Sequence, residues 1–333
     1  MQIKQAILQT EKQAVVEFLA SFDLKFNAFA DYTAYIEQDD KIIATISLAK
    51  NVICDLAVSA AFQGENLATV LIMHAIEKLR AEKVYAYKVF TKPLYLDRFL
   101  DLGFRVLVQG ESFVALEGGE SNIKTVLKSL KTKITMDLDG FEDNYGAVVI
   151  NANPFTTGHL SLIEHALSKH EKVLIFVLEE DVSEFSFKER ISLAFLATRQ
   201  YRDRVCVLPS SEYMVSKATF PDYFMRSEQD VSKAHAEYDA LLFEQYFMKE
   251  LNISKRYLGS EEKEYMTVYN TALSEILGSK LEIVERFKQG GETVSADTVR
   301  ELLKAGDEEK AIGFIPKPCQ VVFKMIIGGK QWS

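Results

Sequence analysis

The stretch "VVINANPFTTGHLSLIEHAL", Val148 to Leu167, decides how the chain is read. A β-branched run ends at Asn151, and a knot of Asn, Pro, Thr and Gly follows. Apolar residues then return at Leu160, Ile163 and Leu167, the spacing of one helix face. A short apolar strand passing through a tight turn into a helix is the repeating unit of a parallel α/β sheet. Such a turn calls for Gly and Asn but not for a His, and Thr156-Thr157-Gly158-His159 sets one in the first helical turn. Unpaired backbone N–H groups and the helix dipole attract phosphate at that place. Gly158 would let a ligand approach the backbone, His159 could donate a ring N–H to a phosphoryl oxygen, and Thr156 offers a hydroxyl. On spacing alone a plain turn with a capping His explains the four residues equally simply. The stretch has neither the G-x-x-x-x-G-K-[ST] nor the G-x-G-x-x-G pattern.

Working outward, the chain from Gly146 alternates strand and helix. Strands are predicted at "AVVIN", "KVLIFVL", "RVCVLP", "KRYLG" and "KLEIVER", and helices begin near His159, Phe187, Val231, Met266 and Ser295. That rhythm predicts a doubly wound, Rossmann-like parallel sheet with helices on both faces. The earlier part mixes helices with "YTAYIEQ", "KIIATISLA", "VICDLAV", "KVYAYKVF" and a hairpin in "FRVLVQGESFVALEG", the pattern of an α+β domain. Gly118 to Asn122 is the first strong break, and a helix and acidic connector follow it. Domains are therefore expected at residues 1–140 and 141–333, two for a chain of 333 residues.

Composition bounds the function classes. Hydrophobic residues make up 48% and charged ones 26%, as in a globular protein. With 39 Lys+Arg against 48 Asp+Glu the net charge is −9, which argues against a nucleic-acid binder. The late apolar run "VVFKMIIGG" is broken by Lys324, so no membrane span is expected, and the N-terminal residues lack a signal-peptide core. Cys54, Cys206 and Cys319 lie far apart in apolar runs, which predicts reduced, buried thiols in a cytoplasmic protein. The His residues have no metal-ligand spacing, so no protein-bound metal is expected. His165 and His170 fall off the apolar face of their helix and are expected in solvent.

A second motif sits far downstream. Val294-Ser295-Ala296-Asp297-Thr298-Val299-Arg300 opens another helix, with Ser295 as N-cap and Arg300 placed to reach back toward an anion at that N-terminus. The two motifs, in this order, resemble the nucleotidyltransferase superfamily, whose marks are [HT]-x-G-H after the first strand and an I-S-x-T-x-x-R pattern on a late helix. Asp297 stands where that family often has a hydroxyl residue. The loop "YLGSEEKEYMTVYN" resembles the family's stretch near the adenine.

The first domain resembles a GNAT acetyltransferase. "VICDLAVSAAFQGENLATVLIMHAIEKL" looks like its acyl-CoA loop between strand and helix, with Asn66 in place of the central Gly of [QR]-x-x-G-x-[GA]. Asn is the residue best suited to a positive φ there. The two halves together resemble the citrate lyase ligase family. That resemblance implies an ATP-dependent acid–thiol ligase acting through acetyl-adenylate. It would take ATP with Mg²⁺ and acetate, and pass the acetyl group to the CoA-like prosthetic group of the citrate lyase acyl carrier subunit, releasing AMP and pyrophosphate. It also implies His159, Thr156 and Arg300 as catalytic residues. Asn151, Asn153, Pro154, Phe155, Gly158, Gly259, Ser260, Glu261, Ser295 and Thr298 would bind ATP. Gln63, Gly64, Asn66, Ala68 and Arg190 are candidates for the CoA-like group. The aromatic run Thr219 to Arg226 reads either as a packed loop, the commoner use of aromatics, or as the lining of an acyl or pantetheine pocket. The alternative is an adenylyltransferase whose product is an adenylylated cofactor precursor such as dephospho-CoA or NAD.

Overall fold

The computed structural model describes residues 2–120, 122–180, 183–216, 220–225, 227–260 and 264–332. The chain divides into two compact units, Met1–Asn122 with Pro221–Leu241 and Ile123–Phe220 with Leu242–Ser333. The first break thus falls before residue 140, and the first unit is discontinuous in sequence.

The first unit contains β1 (Ile3–Gln5), α1 (Gln9–Ala20), β2 (Tyr32–Gln38), β3 (Lys41–Ala49), β4 (Val52–Val58), α2 (Leu67–Ala81), β5 (Ala86–Thr91), α3 (Leu96–Leu100), β6 (Arg105–Gln109) and β7 (Val114–Gly119). They form one seven-stranded sheet in the order β1-β2-β3-β4-β5-β7-β6. The β2–β3 turn holds both Asp39 (φ 51°) and Asp40 (φ 57°) in the left-handed region, the turn that suits the twist of a hairpin. Leu71, Ile72, Ala75, Ile76 and Leu79 of α2 bury one face in this unit's core. All pairs are antiparallel except β4–β5, which pair only at Val52–Lys88 and Ile53–Val89, so β4 runs on unpaired with β5 beyond Ile53.

The second unit opens on α4 (Ile123–Asp137) and continues through β8 (Tyr145–Ile150), α5 (Thr157–Lys169), β9 (Val173–Val177), α6 (Phe187–Thr198) and β10 (Val205–Pro209). After α7 (Glu228–Leu242) come β11 (Ile253–Gly259), α8 (Glu264–Leu277), β12 (Leu281–Val284), the short hairpin β13 (Lys288–Gln289) and β14 (Glu292–Thr293), α9 (Ala296–Lys304), α10 (Glu308–Gly313) and α11 (Gln320–Gly328). Five parallel strands lie in the order β10-β9-β8-β11-β12, the expected doubly wound sheet. The chain winds outward from β8 to β10, then restarts on the other side of β8 with β11. The strand order therefore reverses between β8 and β11, where open α/β sheets leave a crevice at the carboxyl ends.

Residues 221–241 do not follow the crossover rhythm and pack instead with the first unit. Tyr223 donates its hydroxyl to the Phe90 carbonyl, and the Tyr238 ring lies 5.2 Å from that of Phe90. Tyr223, Phe224 and Met225 are buried, so the aromatic run is packing rather than pocket lining; Thr219 and Arg226 lie outside the described residues.

His165 and His170 are half-buried, not solvated. Both rings lie edge-on to Tyr257, at 5.8 and 5.6 Å, with His165 on Glu282 (2.6 Å) and His170 on the Tyr257 hydroxyl (2.9 Å). The three cysteines are free and buried, and burial raises all three thiols. Among the described residues no helix is long and apolar enough to cross a membrane.

Candidate nucleotide site at two helix N-termini

The residues after β8 form a rigid frame. The Asn153–Pro154 peptide is cis and Ala152 sits at φ 55°. Asn151 donates to Glu180 (2.8 Å), and Asn153 donates to Glu184 (2.8 Å) while its Oδ1 accepts from the Phe185 N–H (3.0 Å). Pro154 and Phe155 are buried, Phe155 completely. The side chains of these four expected ATP ligands brace the turn.

Arg190 joins that frame and corrects the expectation of a ligand contact. It is fully buried, and its guanidinium donates to the carbonyls of Phe185 (3.0 Å), Asn151 (2.6 Å) and Glu180 and to Oδ1 of Asn151 (2.8 Å). A buried guanidinium needs such acceptors to replace water, and using it on a CoA-like group would break them.

The Thr-Thr-Gly-His motif closes as a capping box at the start of α5. Thr156 is the N-cap, its Oγ1 accepting from the His159 N–H (3.4 Å), and the Thr156 N–H donates back to Nδ1 of His159 (3.0 Å). A Glu or Gln ordinarily fills the place of this His. Because Nδ1 accepts, the proton of a neutral ring resides on Nε2, whose N–H remains a donor. Desolvation and then the nearby positive charge of Arg286 bring the imidazole pKa down from 6.5 to about 4, so the ring is neutral at pH 7. Thr156 itself is 1% exposed, which makes its hydroxyl a fastener for His159 rather than a phosphate contact.

Gly158 has a different reason from the one expected. An added Cβ would stand 2.9 Å from the carbonyl oxygen of Val294, 3.4 Å from Thr156 Oγ1 and 3.6 Å from Val294 Cγ1. Gly158 thus lets the segment leading into α9 lie directly against the first turn of α5. The β13 hairpin that precedes the second motif also reaches the first, with Thr157 Oγ1 donating to Gln289 Oε1 at 3.4 Å. Ser295 caps α9, accepting from the Thr298 N–H (3.0 Å) and lying 2.8 Å from its hydroxyl. Arg300 donates to the Asn153 carbonyl and to Asp297, and its Nε lies 3.3 Å from Glu184.

On the far side of the strand-order reversal, an added Cβ on Gly259 would meet nothing within 4 Å, so the end of β11 borders open space. Ser260 follows, its N–H donating to the Val284 carbonyl (2.8 Å). Arg286 clasps it, its backbone N–H on Ser260 Oγ (3.1 Å) and its Nε on the Ser260 carbonyl (2.7 Å). Glu261 lies outside the described residues. Arg286 and Glu184 were missed in the sequence. The only available signal was their place, in loops after the parallel strands β12 and β9, which is where ligands bind in this architecture.

In the first unit the stretch Gln63 to Asn66 is an exposed loop leading into α2, with Gly64 at φ 98° and Asn66 at φ 61°; Ala68 is half-buried in the first turn. Asn66 therefore stands in the left-handed conformation expected where the acyl-CoA loop has Gly.

Comparison with known proteins agrees with both halves. Residues 145–322 match the family described as "Citrate lyase ligase C-terminal domain", and residues 5–104 the "Acetyltransferase (GNAT) family". The chain is similar to "[Citrate [pro-3S]-lyase] ligase" of Klebsiella pneumoniae, with 30% identity over 92% of this chain and 90% of the relative. The protein of the same name from Escherichia coli (strain K12) is 29% identical over 91% of this chain and 87% of its own length. That of Haemophilus influenzae is 28% identical over 95% and 96%. With a GNAT-type domain before a parallel-sheet nucleotidyltransferase-like domain and a match along nearly its whole length, the chain belongs to the citrate lyase ligase family.

Proposed function

We propose that the chain adenylates acetate with ATP and transfers the acetyl group to the thiol of the CoA-like prosthetic group on the citrate lyase acyl carrier subunit. The observation that carries this reading is the contact of the α5 and α9 N-termini at Gly158 and Val294, beside a neutral His159 whose proton sits on Nε2. Two helix N-termini lying side by side suit a polyphosphate.

The chemistry asks for positioning and charge stabilisation more than covalent help. A carboxylate oxygen of acetate forms a bond to the α-phosphorus while the bond from that phosphorus to the bridging oxygen of pyrophosphate breaks, its electron pair leaving with pyrophosphate. His159 Nε2–H donates to an α-phosphoryl oxygen as negative charge builds, held in place by Thr156. Ser295, Thr298 and Arg300 hold the departing pyrophosphate, and Mg²⁺ enters bound to ATP. Arg286 adds positive charge on the β11 side, near Gly259 and Ser260. In the second half-reaction the prosthetic-group thiol, its proton released to solvent, attacks the acetyl carbonyl; the bond from that carbon to the anhydride oxygen breaks, and AMP departs with the oxygen and its electron pair. The Gln63–Ala68 loop of the first unit takes the pyrophosphate of the CoA-like group. ATP supply and three unpaired thiols suit the cytoplasm as the compartment.

The test is to incubate the full chain with ATP, acetate and thiol-form carrier subunit, following AMP and the carrier's mass. The reading expects one acetyl group per carrier thiol and one AMP for each. Turnover with 4′-phosphopantetheine or nicotinamide mononucleotide and none with acetate would replace it with the adenylyltransferase alternative.

A further inference from the structure

Glu184 belongs to neither motif, yet the loop before the first motif and the Arg300 of the second both reach its carboxylate. Its Oε2 accepts from Asn153 Nδ2 at 2.8 Å, on the loop that leads into His159, and its Oε1 lies 3.3 Å from Nε of Arg300, on the first turns of α9. Arg300 in turn donates to the Asn153 carbonyl, closing a triangle of three residues from three separate segments.

The support behind Glu184 is stiff. The next residue, Phe185, is fully buried, donates its N–H to Asn153 Oδ1 (3.0 Å) and stacks on Phe323 at 5.7 Å. Lys330 holds the Glu184 carbonyl (2.6 Å) and the Glu189 carboxylate (2.7 Å). The Asn153 hydrogen bond, with the charges of Arg300 and Lys304, overcomes partial desolvation and keeps the Glu184 carboxyl below its ordinary range, so it is ionised at neutral pH.

We infer that Glu184 is a positioning residue of the nucleotide site, fixing the guanidinium of Arg300 relative to the His159 loop so that both meet one polyphosphate. This rests on the reading of Arg300 as a pyrophosphate ligand. Glu184 keeps 41% of its side chain exposed and Arg300 20%, so the ion pair is screened and holds geometry more than it stabilises the fold. Asp297 supplies a second carboxylate to the same guanidinium from one turn away, but it moves with α9 and does not tie that helix to the β8 loop.

The experiment is a double-mutant cycle in the full chain, with Glu184→Ala and Arg300→Ala, read as ATP affinity by equilibrium dialysis of labelled ATP with Mg²⁺. Loss of a charge-assisted contact predicts an ATP Kd raised about tenfold by Glu184→Ala in the native background. On the Arg300→Ala background the same change should cost less than about twofold, because the effect passes through Arg300. Glu184→Gln keeps the shape and one of the two acceptor oxygens but loses the charge, so it should fall between, and it carries the test if the Ala variant does not fold. Thermal midpoints should shift by no more than about 3 °C. Equal losses in both backgrounds, or an unchanged Kd in Glu184→Ala, would overturn the inference. If the native chain binds ATP but does nothing with acetate, the ligase reading fails while this cycle still decides the role of Glu184.

Discussion

The backbone N–H of Thr156 donates to Nδ1 of His159 over 3.0 Å, so the histidine closes the cap of α5 with one ring nitrogen and leaves the other as a donor. The two tasks separate by substitution. His159→Glu restores the usual capping-box residue and should keep stability within about 1 kcal/mol, read by chemical denaturation. It removes the Nε2–H and adds negative charge, so ATP-dependent turnover should fall at least ~100-fold, as should His159→Ala. Turnover that survives in a folded His159→Glu chain would remove His159 from the mechanism.

Gly158→Ala tests the contact between the two motifs. The new Cβ would need the Val294 carbonyl to give way from 2.9 Å, and that carbonyl belongs to backbone leading into a capped helix. Overpacking of this kind costs roughly 1–3 kcal/mol. Turnover should fall by more than about tenfold as α5 and α9 part, because small displacements of positioning groups are costly. Native turnover in this variant would show that the two N-termini need not touch.

The pH dependence follows from the depressed His159 pKa. Its folded value is about 4 against an ordinary value of 6.5, so the unfolded chain binds the extra proton first as pH falls. This contribution to stability is complete above the unfolded value and is lost as pH falls from about 6.5 toward 4. The same shift keeps the ring neutral throughout the neutral range. The acidic limb of kcat/KM against pH should therefore bend near 4 rather than near 6.5, with stability measured alongside. A bend near 6.5 that disappears in His159→Gln would contradict the neutral-donor role.

Asn66 tests the first unit. Asn66→Asp keeps a residue that tolerates φ 61° but sets a negative charge in the exposed loop before α2. Repulsion of a pyrophosphate should slow acetyl transfer to the carrier by about threefold to tenfold at low salt and less at high salt. Formation of acetyl-adenylate should not change. Equal transfer rates at low salt would remove this loop from recognition of the CoA-like group.

Much of this architecture was legible in local pattern. The five parallel strands announced themselves as short apolar runs between helix signals, and Asp39-Asp40 marked the β2–β3 turn. The strand β1 and the β13–β14 hairpin were not seen, since two or three residues carry no periodicity. Neither was the return of residues 221–241 to the first unit, which depends on where Tyr223 and Tyr238 find Phe90 in space.

In the site, composition named the motif residues but not their tasks. Gly158 looked like clearance for a ligand and is clearance for Val294. Arg190 looked like a free cation because its acceptors come from segments 5 to 39 residues away. Glu184 matches no pattern at all, because its meaning lies in joining Asn153 to Arg300.

The central claim is most directly tested by exchange of labelled pyrophosphate into ATP in the absence of any carrier. Exchange should require acetate and be lost at least ~100-fold in His159→Glu. No exchange with acetate, from a chain that binds ATP, would contradict it.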